Sequence, residues 1–172
     1  MEEREKEALF AGWMREYTPQ VYAVARKMTG NHHDADDIVQ NVFVKVWRNM
    51  DRFRNESKPG TWIYRISVNE SLNYLNRKKR FSWLRFSDFG KGEKNGLPEP
   101  ADEQKADYSQ VEALFEKAVQ SLPEKQKAVF VLRFYEERSY EEMETIFGTS
   151  VGALKASYHH AVKKIEKMIG GD

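Results

Sequence analysis

The sequence has no cysteine among its 172 residues, which excludes disulfide scaffolds and thiolate metal sites and fits a reducing compartment. It also has no run of apolar residues approaching the roughly 20 that span a membrane. The first ten residues, MEEREKEALF, are charged where a secretory signal peptide would be apolar. We therefore expect a cytoplasmic protein without membrane insertion.

Enzyme motifs are missing as well. The sequence contains no glycine-rich phosphate loop, HExxH motif, nucleophile elbow or carboxylate pair with a supporting base. Residues 32–37 include two histidines and three aspartates, which are residue types that bind metals. The aspartates are more simply explained by their favourable position at a helix N-terminus. His159 and His160 are adjacent, so on a helix they point about 100° apart and cannot chelate together. We expect no enzyme activity, no cofactor and no metal site.

Hydrophobic residues make up 40% of the chain and charged residues 32%, which is typical of a soluble globular protein that can bury a core. The formal net charge of +1 argues against general coating of nucleic acid, but it averages over separated charged segments. No strand pattern or internal repeat is present, and the apolar residues recur at helical spacing. The sequence therefore predicts an all-α fold.

Helical spacing begins near the N-terminus. It predicts two abutting helices on either side of Pro19, the second of which stops at Gly30. Asp34 is then expected to cap an amphipathic helix from Ala35 to about Met50, with acidic residues in its first turn. A fourth helix is predicted from Thr61 to Arg80.

The helical pattern is absent between Phe81 and Ser109. This stretch is rich in glycine, proline and charge, and it is long for a loop inside a compact domain. We therefore expect two small helical domains, an N-terminal helical bundle and a C-terminal four-helix domain, joined by a flexible linker. The predicted boundaries are residues 1–81, 82–109 and 110–172.

The last part of the chain, Ser139 to Met168, predicts a helix-turn-helix. Ser139 and Glu142 have the spacing of a capping box, Gly148 suits a left-handed helix exit, and Ser150 can cap the second helix. The second helix has an apolar stripe, and its other side is small, polar and basic, which suits a phosphate backbone. An ordinary helical hairpin with a solvated lysine face also fits these residues.

Residues 61–80 interleave aromatic residues and amides with a basic end. The aromatic residues are Trp62, Tyr64 and Tyr74, and the amides are Asn69, Asn73 and Asn76. Such side chains offer a stacking surface, donors for base edges and charge for the backbone of a single strand. The alternative is that Trp62 and Tyr74 belong to the core and that the basic end is a solvated helix terminus.

Three blocks, in this order and with this linker, together resemble the extracytoplasmic-function (ECF, group IV) sigma factors of bacterial RNA polymerase, in the sigma-70 family. The blocks are DADDIVQNVFVKVWRNMDRF, GTWIYRISVNESLNYLNRKKR and LPEKQKAVFVLRFYEERSYEEMETIFGTSVGALKASYHHAVKKIEK. The resemblance implies that the first domain docks on the polymerase and opens the downstream promoter element, and that the second reads the upstream element. The implied partners are core RNA polymerase, promoter DNA as duplex and as melted strand, and an anti-sigma factor.

The resemblance also assigns roles to residues. On the helix that would dock on core polymerase lie Asp37, Gln40, Asn41, Lys45 and Trp47, with Arg48 on its outer face. In the segment that would melt the promoter lie Arg65, Asn69, Asn73, Arg77 and Lys78, to which its aromatic composition adds Trp62. On the helix that would read the upstream element lie Lys155, Ser157, His159, His160 and Lys163.

The chain departs from the family pattern at three of these positions. Asn41 stands where the family usually has Glu, and Ser157 and His160 stand where it commonly has Arg. The two lost arginines would be bidentate base or phosphate ligands, so the upstream sequence that is read is expected to differ.

Two other classes of function fit parts of the chain. One is a regulator that binds duplex DNA through its C-terminal domain and uses its N-terminal helices for dimerisation or sensing. The other is a helical adaptor that binds only proteins. Residues 61–80 discriminate against the first, which does not need an amide-and-aromatic face with a cationic end, and the basic second helix discriminates against the adaptor.

Overall fold

The computed structural model describes residues 1–89 and 108–171, and within these ranges it contains seven α-helices and no strand. The predicted all-α fold is therefore confirmed. In chain order the helices are α1 Glu3–Thr29, α2 His32–Asn49, α3 Pro59–Phe89, α4 Tyr108–Gln120, α5 Glu124–Phe130, α6 Tyr140–Phe147 and α7 Val151–Gly170. A 3-10 turn, Met50–Arg52, follows α2, and a π-helical turn, Val131–Tyr135, continues α5.

Helix α1 passes through Pro19 without a break, so the prediction of two helices here is wrong. A proline inside a helix removes a hydrogen bond and costs about 3 kcal/mol. Trp13 and Val21, on opposite sides of Pro19, are both buried in one cluster with residues of α2 and α3, while Pro19 itself is exposed. Both segments can be buried in this cluster only if the helix is continuous, so the free energy of packing offsets the cost of the proline.

The start of α2 differs from the prediction in its capping residue. Helix α1 ends at Gly30, which has a φ of 77°, and the cap of α2 is Asn31 rather than Asp34. The Asn31 side-chain oxygen accepts a hydrogen bond of 2.8 Å from the backbone N–H of Asp34. Asp34 itself is only 8% exposed, and its carboxylate accepts hydrogen bonds from Tyr74 (2.5 Å) and Lys78 (2.8 Å) of α3. Its main role is therefore to tie α2 to α3.

Helix α3 is longer than the sequence indicated. It begins at Pro59 and continues to Phe89, nine residues beyond the predicted end at Arg80. No glycine or proline lies between residues 61 and 89, so nothing in this stretch stops a helix once it has formed. The predicted linker therefore starts inside α3, and residues 90–107, which hold most of it, lie outside the described part of the chain.

Three buried clusters hold the helices together. The first joins α1, α2 and α3 around residues that include Val21, Ile38, Val42, Val46 and Ile63. The second joins α4, α5 and α7 around Ala118, Val119, Leu122, Phe130, Ala161 and Ile165. The third, the shared cluster, contains Val24, Met28, Tyr64 and Val68 together with Ala128, Val129, Val131, Leu132, Met143, Ile146 and Leu154. It places the N-terminal and C-terminal helices in contact.

The helix-turn-helix has the local geometry that the sequence predicts. The Ser139 side chain accepts a hydrogen bond of 3.1 Å from the backbone N–H of Glu142. Gly148 ends α6 with a φ of 66°, and the Ser150 side chain accepts a hydrogen bond of 3.2 Å from the backbone N–H of Ala153. The capped pair α6–α7 is therefore confirmed.

The buried carboxylate of Asp34 makes stability depend on pH. Burial alone would raise the pKa of Asp34, but the hydrogen bonds from Lys78, Tyr74 and Asn31 outweigh it and lower the pKa below its ordinary value. A lowered pKa means that ionised Asp34 stabilises the fold above the unfolded pKa of about 4, and that this gain is lost as pH falls through the lower folded pKa.

We predict that Asp34→Asn lowers the free energy of unfolding at pH 7 by about 1–3 kcal/mol, the scale of hydrogen bonds to a charged group. The difference from the unaltered chain should shrink as pH falls below about 4. Urea unfolding at a series of pH values measures the free energy of unfolding of each variant and how it changes with pH. Asp36→Asn is the control, because Asp36 is exposed and pairs only across one turn with His32. A loss in Asp34→Asn that stays constant down to the acid transition would contradict the charge argument.

Candidate nucleic-acid interface

A groove runs along the seam where α2 packs against α3. Its more polar section has a volume of about 470 Å³. The lining residues are Asn41, Val44, Lys45, Arg48, Glu70, Asn73, Asn76, Arg77 and Arg80. Four of these side chains are cations and one is a carboxylate, so the groove presents an excess of positive charge with amides between the cations. Such a lining suits the phosphates and base edges of nucleic acid.

The adjoining section of the same seam is lined by Asp37, Gln40, Asn41, Tyr74, Arg77, Lys78 and Phe81. This surface therefore brings the predicted docking residues of α2 together with three of the predicted melting residues of α3, Asn73, Arg77 and Lys78. Trp62, Arg65 and Asn69 do not line it. Asn41 and Arg77 line both sections. We call this combined surface the α2–α3 seam.

The cations of the seam are not equivalent. The ammonium of Lys45 bonds the carboxylate of Glu70, whose side chain is only 6% exposed. Lys78 bonds the buried Asp34. Because each of these lysines neutralises a buried carboxylate, its removal would leave that charge uncompensated. Arg48 and Arg77 are exposed and line the seam beside them.

The residues of α2 that were predicted to dock on polymerase fall into two groups. Gln40, Asn41 and Arg48 are exposed on one side of the helix, and Asp37 at its start is half-buried. Trp47 instead packs inward, with its ring centroid 5.1 Å from that of Phe10. Trp47 is therefore part of the packing between α1 and α2 rather than of the outer face.

Val44 completes the outer face of α2, and the sequence analysis missed it. It is 47% exposed and lies between Asn41 and Arg48 at helical spacing. The signal was present, because Val44 falls outside the buried stripe formed by Val42 and Val46. An exposed apolar side chain ringed by polar ones is typical of the centre of a protein interface.

On α3 the predicted polar residues form an exposed stripe. Arg65, Asn69 and Asn73 are each four residues apart and point away from the core, and Arg77 continues the row. Asn76 and Arg80 also line the seam. The sequence analysis counted Asn76 among the amides of residues 61–80, but neither residue is among those that the resemblance assigned to promoter melting. Their spacing, three residues from Asn73 to Asn76 and four from Asn76 to Arg80, was the available signal.

The predicted aromatic residues of α3 pack against other side chains of the protein. Trp62 is half-buried, with ring centroids 5.1 Å from Phe53 and 6.0 Å from Trp13. Tyr64 is buried in the shared cluster, and Tyr74 donates its hydrogen bond to Asp34. Burial and the bond to Asp34 raise the pKa of Tyr74 to about 12, which keeps its hydroxyl protonated. None of these three rings is presented as a free stacking face.

Exposed aromatic rings are found further along α3. Phe81 is 64% exposed and Trp83 is 71% exposed. The sequence analysis ended the helix before them and placed them at the edge of the linker. Phe81 lies at the seam beside Gln40 and Lys78.

Helix α7 presents a basic and polar side. Lys155, His159, His160 and Lys163 are exposed, as the sequence predicted. Because successive residues are about 100° apart, Lys155, His159 and Lys163 share one side, while His160 lies toward its edge. Ser157 is half-buried and lies nearly opposite this side, at the border of the buried face of the helix.

Metal-ligating side chains do not converge in the described ranges. Within residues 1–89 and 108–171, no group of three or more histidine, cysteine, aspartate or glutamate side chains could hold a metal ion. At the start of α2, Nε2 of His32 lies 3.2 Å from the carboxylate of Asp36 across one turn of the helix, but this is a pair and not a group of three. In the same described ranges, no helix is both long and apolar enough to cross a membrane.

Comparison with protein families matches both halves of the chain. Residues 13–81 match Sigma-70 region 2, which here comprises most of α1, all of α2 and most of α3. Residues 112–165 match Sigma-70, region 4, which contains the helix-turn-helix. Neither the dimerising regulator nor the protein-binding adaptor accounts for the match to region 2.

Relatives and solved structures agree with this assignment. The chain is 30% identical to the ECF RNA polymerase sigma factor SigW of Bacillus subtilis, over 93% of this chain and 88% of that protein. It is also 30% identical to the ECF RNA polymerase sigma-E factor of Escherichia coli, over 79% of this chain and 74% of that protein. Its fold is similar to that of the sigma factor RpoE of Bartonella quintana, solved in complex with the anti-sigma factor NepR, with a TM-score of 0.71, 26% identity and coverage of 95% of this chain and 98% of that one. The chain therefore belongs to the extracytoplasmic-function family of RNA polymerase sigma factors, which direct core polymerase to promoters and initiate transcription there.

Proposed function

We propose that this sigma factor acts through two surfaces, the α2–α3 seam and the exposed side of α7. Residues 1–81 would bind core polymerase and open the downstream promoter element, and residues 110–172 would read the upstream element in duplex DNA. The observation that carries this proposal is the seam itself, where polar side chains of α2 and cations of α3 line one continuous groove. The chain would act in the cytoplasm and have no catalytic activity of its own.

The outer face of α2 is the proposed contact with core polymerase. Its opposite face is buried in the core through Ile38, Val42 and Val46, so only the outer face is available to a partner. Val44 supplies an apolar centre, and Gln40 and Arg48 supply a polar rim, which is the usual composition of a protein interface. Lys45 is exposed but is paired with the buried Glu70, and Trp47 packs inward, so both would support this face rather than form its main contacts.

The exposed stripe of α3 is the proposed contact with the melted strand. Asn69 and Asn73 offer amide donors and acceptors to base edges, and Arg65 and Arg77 offer charge to the backbone. Tyr64 is buried, and Trp62 and Tyr74 are half-buried against other side chains, so strand contact would rest on these amides and cations. Phe81, exposed at the end of the seam, is the nearest ring on which a base could stack.

The exposed side of α7 is the proposed reader of duplex DNA. The second helix of a helix-turn-helix enters the major groove, with its N-terminal residues near the base edges. Lys155 and His159 would lie toward the bases. Lys163, about two turns beyond Lys155, would lie toward the phosphates. Ser157, nearly opposite them, would contribute only at the border of the contact.

A protein inhibitor is also part of the proposal. The similar RpoE structure from Bartonella quintana contains an anti-sigma factor, and we infer that this chain has a partner of the same kind. The inhibitor would compete with polymerase for the α2–α3 seam or hold the two regions in one arrangement.

We predict that Val44→Glu and Gln40→Glu each weaken binding to core polymerase at least about tenfold, which corresponds to about 1.4 kcal/mol. Both side chains are exposed, so the fold should be unaffected. Fluorescence titration of labelled chain with core polymerase measures the affinity, and far-ultraviolet circular dichroism checks the fold. Arg15→Glu, on the exposed side of α1, is the matched charge-reversing control. Equal affinity in all three variants would remove this face from the proposal.

We predict that Lys163→Ala weakens binding to duplexes of every sequence alike. Loss of one phosphate contact should reduce the slope of log affinity against log salt by about one unit. The duplex to use is one selected by the unaltered chain from a random pool, beside a scrambled duplex. Lys125→Ala is the control, because Lys125 is exposed on α5. A salt slope that is unchanged in Lys163→Ala, or a loss confined to the selected duplex, would contradict a phosphate contact.

A further inference from the structure

Helix α3 continues past the region that matches the family. The match to Sigma-70 region 2 ends at residue 81, whereas α3 continues to Phe89. No acidic residue lies between residues 71 and 87, and residues 77–85 include five cations. Neither surface of the proposed function includes the part of α3 beyond Phe81. This basic end of the helix is therefore available for a further contact.

Phe81 and Arg85 continue one side of α3. Residues four apart on a helix are turned by about 40°, so Arg77, Phe81 and Arg85 lie within about 80° of one another. All three side chains are exposed, and the Arg85 guanidinium lies 5.6 Å from the centre of the Phe81 ring. Phe81 also lines the α2–α3 seam together with Arg77. The seam therefore continues onto an aromatic ring with a cation beside it.

The arginines at this end of α3 differ from the neighbouring lysines in their partners. Lys78 and Lys79 are each paired with a carboxylate. None of the ion pairs between described residues includes Arg77, Arg80 or Arg85. The charge of these three guanidinium groups is therefore available to an anionic ligand, and a guanidinium binds a phosphate through two parallel hydrogen bonds.

An exposed aromatic ring beside guanidinium groups suits a single-stranded nucleic acid. The flat face of a base stacks on an aromatic ring or on a guanidinium plane, and the phosphates pair with cations. In a duplex the bases are stacked on one another, so their faces are not offered to a protein side chain. The chemistry of Phe81 and Arg85 therefore fits a strand that has already been separated from its partner.

A lipid surface would require a different distribution of the apolar residues. A helix that lies on a membrane has its apolar side chains on one face and its cations on the other. Trp83 is 71% exposed, but it follows Phe81 by two residues and so lies about 200° away, in the groove beside the turn between α4 and α5. The two exposed rings face different ways, and Arg85 lies beside Phe81. The arrangement favours a nucleic acid over an anionic lipid surface.

We propose that Phe81 and Arg85 lengthen the exposed stripe of α3, with the Phe81 ring stacking on one base and Arg85 binding a phosphate next to it. At a rise of 1.5 Å per residue, the stripe from Arg65 to Arg77 is about 18 Å long, and Arg85 lengthens it to about 30 Å. A stacked strand advances about 3.4 Å per nucleotide, so the added length holds about three nucleotides. This extension rests on the proposed function, in which the stripe contacts the melted strand.

Oligonucleotides of increasing length test the extension in the full-length chain. The probes are fluorescein-labelled oligo(dT) of about 4 to about 16 nucleotides, the usual range of single-strand site sizes, and fluorescence anisotropy measures their affinity. Phe81→Ala should weaken binding of the longest probe at least about fivefold, because one base stack is lost. The shortest probe should be unaffected, since the rest of the stripe holds it. Arg85→Gln should lower the slope of log affinity against log salt by about 0.7 for the longest probe.

Two further variants are controls. Phe81→Tyr retains a ring on which a base can stack, so it should bind every probe like the unaltered chain. Trp83→Ala removes a similarly exposed ring from the other side of α3 and should also keep full affinity. Far-ultraviolet circular dichroism checks that each variant retains its helix content.

Several results would overturn the extension. They are equal affinity of Phe81→Ala and the unaltered chain for the longest probe, a loss of affinity that Trp83→Ala shares, and no measurable binding of the longest probe by the unaltered chain. Binding to phosphatidylglycerol vesicles that Phe81→Ala and Trp83→Ala both abolish would also overturn it and would assign this end of α3 to a lipid surface.

One more variant separates the extension from the proposed function. Asn69→Ala, within the stripe, should weaken binding of probes of every length. If Asn69→Ala binds all probes normally while Phe81→Ala loses affinity for the long ones, the extension stands and the proposed strand contact along the rest of α3 fails. The reverse pattern would overturn the extension and leave the proposed function intact.

Discussion

The arrangement of the molecule depends on how α3 is buried on two sides. Ile63 packs into the cluster formed with α1 and α2, while Tyr64 and Val68 pack against the C-terminal helices. In this part of α3, the side of the helix that stays exposed to solvent carries Arg65 and Asn69. Between residues 63 and 75, the polar stripe of α3 therefore has its place because the other sides of the helix are packed.

The same constraint divides the charged residues of the seam into two kinds. Lys45 and Lys78 compensate the buried carboxylates Glu70 and Asp34 and so hold α2 on α3. Arg77 lies on the surface between them and is exposed to a ligand. Because a buried ion pair leaves an uncompensated charge when one partner is removed, variants of the two lysines would report stability as well as binding. Variants of Val44 or Gln40 separate the two effects.

Local signals in the sequence predicted local structure well. Ser139, Gly148 and Ser150 were assigned to their capping roles, because a cap is decided by a few neighbouring residues. The break at Pro19 was wrong because burial on both sides of it offsets the local cost. The end of α3 was misplaced because Phe81 and Trp83 are exposed and give no buried stripe to follow. Family resemblance located the seam residues, but it could not show which of them are packed inside.

Contacts between distant residues had no sequence signal. Lys127 donates a hydrogen bond to the carbonyl of Met28, and the two residues are separated by 99 positions. A lysine among the charged and polar residues at the start of α5 is interpreted from sequence as one more surface charge. Asp34 was similarly interpreted as a cap, although its carboxylate belongs to a network with α3. Such roles depend on which helix faces which, and that follows only from the packed structure.

The central claim is that the seam and α7 act together to start transcription at chosen promoters. The most direct measurement is run-off transcription in vitro with purified core polymerase, this chain and a library of genomic fragments. The account predicts transcripts that require the chain, that start at a shared pair of upstream and downstream sequence elements, and that are lost when either element is scrambled. Transcription from the same fragments at the level of core polymerase alone, or transcription that survives scrambling of both elements, would contradict it.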